Sequence, residues 1–180
     1  MNHADHFGLI RGGVEGAGPR GLELGAGEGA FTLALADCLG DRASIVALDR
    51  DRRALERLRD SVGARFPTVA LETIRGDYRT DLPGGPFDGV LAANSLHFTD
   101  DPVSVLRAVA DRLGPDGRLV VVEYDADRGN PWVPHPFSAA RFSELAAAAG
   151  FGAVTPLGRV PSRFLDAIWS AVARPAARPG

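Results

Sequence analysis

Short apolar runs alternate along this chain with stretches whose apolar residues recur every three or four positions. Residues 20–24 and 44–49 are such runs, as are Val69 to Ile74, Phe87 to Ala93 and Arg118 to Glu123. Near-continuous apolar runs of this length predict strands buried on both faces, as in a parallel sheet. Between them, Phe31, Ala34, Leu35, Cys38 and Leu39 share one helical face, with Gly40 as a stop. Leu55, Leu58, Val62 and Phe66 mark a second helix. Leu106, Val109, Ala110 and Leu113 mark a third, which Asp101 caps, Pro102 enters and Gly114-Pro115 ends. Phe142, Leu145, Ala146 and Ala149 mark a fourth, with Ser138 as cap and Gly150 beyond its end.

Alternation of this kind predicts an α/β fold built on a doubly wound, mostly parallel sheet. Two segments depart from it. The stretch from Gly76 to Pro86 carries three glycines and two prolines and reads as a loop. Val154 to Arg159 and Phe164 to Ala173 read as two strands joined by Val160-Pro161-Ser162-Arg163. So short a link favours an antiparallel hairpin over a helix starting at Phe164. Neither repeat nor linker divides the chain, so residues 1–180 read as a single domain, with 1–19 as a short N-terminal segment.

Composition narrows the class. A net charge of −3 and a pI near 5.8 give no global attraction to nucleic acid or an anionic membrane. All 20 basic residues are arginine, which removes P-loop and Schiff-base lysine chemistry. Cys38 is the sole cysteine, so no internal disulfide forms. No apolar run approaches the roughly 20 residues of a membrane span, and Met1 to Gly13 does not read as a signal peptide. The expected setting is cytoplasmic. No His, Cys and Asp cluster at metal-ligand spacing, so no metal is expected.

The candidate chemistry lies after the first strand. Gly25-Ala26-Gly27-Glu28-Gly29 opens the helix that follows it. Glycines there let the backbone approach a ligand and aim helix N–H groups at it. Glu23 precedes the loop, Asp49 ends strand two, Asp77 follows strand three, and Asn94-Ser95-Leu96-His97 follows strand four. In open parallel sheets the ligand sits beyond the carboxyl ends of the strands, where all of these fall. Asp49 suits both hydroxyls of a ribose, and Asp77 an exocyclic amine. The same glycines fit a dinucleotide fingerprint, which keeps a nicotinamide-dependent oxidoreductase as an alternative. Against it, Glu23 would repel a pyrophosphate but welcome an ammonium.

Glu23-Leu24-Gly25-Ala26-Gly27-Glu28-Gly29 resembles the first motif of class I S-adenosylmethionine-dependent methyltransferases. Asp49, Gly76-Asp77, Phe87-Asp88 with Asn94 to His97, and Leu113 to Leu119 resemble later motifs of that family; Asp116 stands where the last has glycine. The likeness runs from about Gly21 to Ala173. It implies a Rossmann-like, seven-stranded sheet ending in an antiparallel hairpin, with S-adenosylmethionine as cofactor. It also implies that Gly25, Ala26 and Gly27 pack against the methionine portion and that Glu23 holds the amino end. Arg50 would cover an adenine face, Asp77 and Tyr78 would bind the adenine edge, and backbone at Asn94 would close over the sulfonium.

Methyl transfer needs alignment above all, and a base when the acceptor carries a proton. His97, after strand four, is the first candidate for that base, with a role in shaping the pocket as the alternative. His135, in a proline-rich segment with Trp132, is a second, and its plainer reading is a surface histidine. Tyr124 and Asp125 end strand five, and His3 and His6 lie in the N-terminal segment. The expected partner is a small-molecule acceptor. A near-absent N-terminal cap leaves room for a bulky acceptor or a homodimer. A non-catalytic cofactor-binding domain is the third alternative.

Overall fold

A computed structural model describes residues 1–177; residues 178–180 of the expected 1–180 domain lie outside the described residues. Seven strands form one sheet: β1 (Arg20–Leu24), β2 (Ser44–Asp49), β3 (Ala70–Arg75), β4 (Phe87–Ala93), β5 (Leu113–Tyr124), β6 (Phe151–Pro161) and β7 (Ala167–Pro175). Their spatial order is β3-β2-β1-β4-β5-β7-β6. The first five pair in parallel, and β7 runs antiparallel between β5 and β6. The expected fold class, hairpin included, is therefore the observed one.

Among the described residues, five α-helices cover the sheet: α1 (His3–Val14), α2 (Ala30–Leu39), α3 (Arg52–Arg65), α4 (Pro102–Ala110) and α5 (Ala139–Ala148). Strand side chains alternate between faces. Leu22, Leu24, Val90, Leu119 and Val121 meet Leu106 and Val109 of α4 and Phe142 of α5. Ile45, Leu91, Val120 and Val122 meet Leu9, Ile10 and Val14 of α1 and Phe31 and Leu35 of α2. Ala47 meets Leu55, Leu58 and Val62 of α3 on that second face. Two glycine-loop amides pin β1 to β2, since Gly25 N and Ala26 N both donate to Leu48 O.

Several boundaries differ from expectation, among them that the strand expected over Val154 to Arg159 spans Phe151–Pro161. The third helix ends at Ala110, ahead of Gly114-Pro115, because Leu113 enters the ladder opposite Phe87. A register shift between Phe87 and Gly89 then absorbs the turn before Arg118. In the hairpin, β7 begins at Ala167, three residues after Phe164, so the connection is longer than four residues.

The N-terminal segment holds the largest surprise: it is the helix α1. Asn2 and Asp5 form a reciprocal capping box at its start. At its end Arg118 donates to the carbonyls of Gly13, Glu15 and Gly16, satisfying acceptors the helix leaves open. A Cβ on Gly13 would fall 2.7 Å from Val120, so glycine lets α1 lie directly on β5. His3 pairs with Asp37 at 2.9 Å, and the His6 ring lies 4.5 Å from that of Phe31. Both histidines thereby tie α1 to α2. Among the described residues, no helix is long and apolar enough to cross a membrane.

Candidate functional site

At the carboxyl edge of the sheet, the loops after β1, β2, β3 and β4 surround an open cleft of about 220 Å³. Gly25, Asp49, Arg50, Gly76, Tyr78, Arg79, Asn94, Ser95 and Phe98 line it. Five residues expected from the sequence therefore share one wall-to-wall space: Gly25, Asp49, Arg50, Tyr78 and Asn94. It lies between β1 and β4, where the strand order reverses direction.

The glycine loop makes the closest approach. Gly25 has φ +69° and Gly27 φ +54°, both in the region that side chains disfavour. A Cβ on Gly25 would sit 2.8 Å from Ser95 Cβ, whereas one on Gly27 would meet nothing within 4 Å. Asp49 holds the loop open: Oδ2 accepts from Gly27 N and Oδ1 from Asp51 N, each at 2.8 Å. Each oxygen keeps a lone pair for a ligand hydroxyl. Ala26 is buried in the loop, packed with Ala47 and Leu55.

Glu23 does not line the cleft. It lies behind the loop, buried, and accepts from Thr32 Oγ1 of α2 at 2.6 Å. Burial pushes its carboxyl up to about 8. Folding therefore takes up a proton between about pH 4.5, the ordinary value, and pH 8. Stability is greatest below that window and falls as pH rises through it, by up to about 1.4 kcal/mol per unit. Glu23→Gln keeps an acceptor for Thr32 and has no charge to bury. Its melting temperature should match wild type near pH 4.5 and exceed it increasingly towards pH 8. Thermal unfolding curves that run parallel across that range would contradict this assignment.

Asp77 stands beside the cleft with its carboxylate clasped by Arg79, at 2.9 Å from Nε and 2.6 Å from a terminal nitrogen. That guanidinium holds the carboxyl down at about 2. Arg50 approaches the same carboxylate at 3.8 Å. Tyr78 donates its hydroxyl to Ser95 O, tying the loop after β3 to the loop after β4. Asn94 adopts φ +49°, the one positive φ outside glycine among the described residues. Strain of this kind persists where the surroundings over-determine it, often at binding sites. Asn94 Oδ1 and Ser95 Oγ are buried with no hydrogen-bond partner among the described residues. Two orphaned polar atoms beside a ribose-type acid and a positive-φ glycine suit a polar nucleoside ligand.

His97 lies in a 3₁₀ turn, Leu96–Phe98, directly after Ser95. Its ring is buried, and Nδ1 lies 2.8 Å from Glu123 Oε2. Glu123, fully buried near the end of β5, also accepts His97 N at Oε1 and Tyr124 N at Oε2. A carboxylate that accepts on both oxygens makes Nδ1 the donor. In the neutral ring, Nε2 is then the basic nitrogen. Sequence reading missed Glu123. Its signal was a carboxylate closing Leu119-Val120-Val121-Val122, a run otherwise buried and apolar.

The remaining candidates sit elsewhere. His135 lines a separate depression with Thr99, Asp101 and Arg141, and its backbone N–H donates to His97 O at 3.0 Å. Asp125 accepts from Arg159 and from Ala139 N, so it ties the hairpin to α5. Trp132 is exposed and lines neither depression. Among the described residues, no group of three or more His, Cys, Asp or Glu could hold a metal.

A methyltransferase-domain family model matches residues 22–119. A reducing polyketide synthase of a Penicillium species, grgA, is 30% identical over 155 residues, covering 73% of this chain. The chain spans only 6% of that synthase. Among solved structures, the YcgJ protein of Bacillus subtilis superposes with a TM-score of 0.77 at 16% identity, over 97% of this chain and all of that one. The N-terminal domain of EvdMO1, solved with S-adenosylhomocysteine bound, gives 0.73 at 23% identity, over 98% of this chain and 82% of that one. Together with the glycine loop and the acids at successive strand ends, the family match decides against a nicotinamide enzyme. The chain belongs to the class I methyltransferase family and is an enzyme that uses S-adenosylmethionine.

Proposed function

We propose that this enzyme methylates a small molecule at a weakly acidic O–H, with His97 as general base and Glu123 as its positioning partner. One observation carries the reading: His97, paired with buried Glu123, lies in the turn that directly follows Asn94 and Ser95 of the cleft. The likeness to a stretch of a polyketide synthase, an enzyme of small-molecule synthesis, supports a small acceptor. The lone Cys38 agrees with a reducing, cytoplasmic setting.

S-adenosylmethionine supplies a methyl group activated on a sulfonium. The chain's residues divide the remaining work. Backbone at Gly25, Ala26 and Gly27 packs against the amino-acid portion. Asp49 accepts the ribose hydroxyls while it keeps the loop open. Arg50 and Tyr78 flank the base, and Asp77 acts there together with Arg79. Backbone at Asn94 closes the reacting side. Glu23, buried behind the loop with its carboxyl raised to about 8, braces the loop through Thr32 and does not touch the ligand. Glu123 fixes the His97 ring so that Nε2 takes the acceptor's proton.

Calorimetry with S-adenosylhomocysteine tests the cofactor half of this reading. Asp49→Ala removes the ribose acceptor and the brace on Gly27, so the Kd should rise at least tenfold. Wild-type affinity in that variant would overturn the assignment.

A further inference from the structure

Phe98 and Phe164 are 45% and 64% exposed, and Met1 is exposed as well. Large apolar side chains gathered in water mark a binding surface more often than chance. Phe98 lies against His97, and Met1 and Phe164 share one depression. Phe98 also lines the cofactor cleft. The wall of the depression includes Tyr124, Val160, Pro161 and Ile168. A row of rings joins the two spaces. Phe98 lies 4.2 Å from the His97 ring, His97 lies 5.6 Å from Tyr124, and Tyr124 lies 6.4 Å from Phe164. His97 therefore lies, buried, between a ring at the cofactor cleft and the rings of the basin.

Two charged side chains line the basin, Asp5 and Arg163. The Asp5 side chain accepts from Asn2 N at 2.9 Å in the capping box of α1. Arg163 has no hydrogen-bond or ion-pair partner among the described residues, so the uncommitted charge is positive.

Resting on the base role of His97, we propose that the acceptor is a flat, apolar phenol or enol with an anionic substituent. It lies along the Phe98–His97–Tyr124–Phe164 row, its hydroxyl at His97 Nε2 and its anionic end at Arg163. In the reaction the O–H bond breaks and its proton passes to Nε2. The oxygen forms a bond to the methyl carbon as the carbon–sulfur bond breaks. That electron pair stays on sulfur, leaving a neutral thioether. An amine acceptor would arrive as an ammonium, whose charge Arg163 repels and which brings no free lone pair to the reaction. Aromatic rings suit a flat partner because they stack at little entropic cost.

The test uses two fluorescent probes on protein saturated with S-adenosylhomocysteine. 1-Anilinonaphthalene-8-sulfonate is a flat aromatic anion, and N-phenyl-1-naphthylamine is its uncharged counterpart. The anion should bind at one site. Phe164→Ala should weaken both probes at least fivefold. Arg163→Glu should weaken the anion at least fivefold and leave the uncharged probe unchanged. With labelled S-adenosylmethionine, 6-hydroxy-2-naphthoate should be methylated and 6-(aminomethyl)-2-naphthoate, an ammonium at neutral pH, should not, and Arg163→Glu should raise KM for the hydroxynaphthoate while sparing kcat. The proposal fails if both variants bind the probes as wild type does, if saturating S-adenosylhomocysteine displaces them, or if the amine is the better acceptor. Failure of S-adenosylhomocysteine to bind would sink the cofactor reading instead. Probe binding that responds as expected, with transfer indifferent to His97→Ala, would sink the base role alone.

Discussion

His97→Ala should lower kcat for methyl transfer to a phenol by about 100- to 10,000-fold, the range a positioned base supplies. The Kd for S-adenosylhomocysteine should stay within threefold of wild type, because His97 is not among the residues lining the cofactor cleft. The pH profile separates a base from a residue that only shapes the pocket. Without His97 the acceptor must ionise in water, so the variant's rate should climb about tenfold per pH unit and approach wild type at alkaline pH. A packing defect would depress the rate equally at every pH. Glu123→Gln should fall between the two proteins. Its amide can still accept from one neighbouring N–H, but it loses an acceptor that held Nδ1 or a backbone amide. Radiolabel transfer measured from pH 6 to pH 10 checks all three.

The second large effect concerns two glycines that the same motif contains but the structure separates. Gly27→Ala should cost about 1 kcal/mol in stability, from the positive φ alone, since its Cβ would point into open space. Cofactor affinity should nevertheless fall at least 30-fold, because the proposed binding mode brings the ligand's amino-acid portion into that open space. Gly25→Ala should lose more stability, about 2–3 kcal/mol, from strain plus the contact with Ser95 Cβ at 2.8 Å. Comparing denaturant midpoints with calorimetric Kd values distinguishes the two sites. A Gly27→Ala protein that binds S-adenosylhomocysteine as wild type does would move the ligand away from the loop.

Much of this arrangement was legible in the residues because strand-end chemistry and sheet topology reinforce each other. Residues 20–24, 44–49 and 87–93 stand out as strands whose bounds the structure keeps, since continuous burial and a following turn define both ends. The strand after Val69 begins one residue later than read, at an edge where burial is weaker. The loop residues Gly25, Asp49, Arg50, Tyr78 and Asn94 converge because each follows one of four adjacent parallel strands.

What stayed hidden depends on tertiary contact. Helix α1 carries glycine at positions 8, 12 and 13, which local propensity counts against a helix. It forms because Leu9, Ile10 and Val14 are buried and Arg118, over 100 residues away, closes its end. The Asn2–Asp5 capping box was the local clue. Arg79 was hidden as well: a surface arginine two residues from Asp77 gains its role only when the turn folds its guanidinium onto that carboxylate. Glu123 was visible as an anomaly, but its meaning required knowing that the turn after β4 delivers His97 to the same point.

A crystal structure of the complex with S-adenosylhomocysteine bears most directly on the whole assignment. The nucleoside should fill the space between Gly25, Asp49, Tyr78 and Asn94, its ribose on Asp49 and its sulfur turned towards His97. A ligand bound on any other surface, or a sulfur facing away from His97 with the Glu123 contact intact, would contradict it.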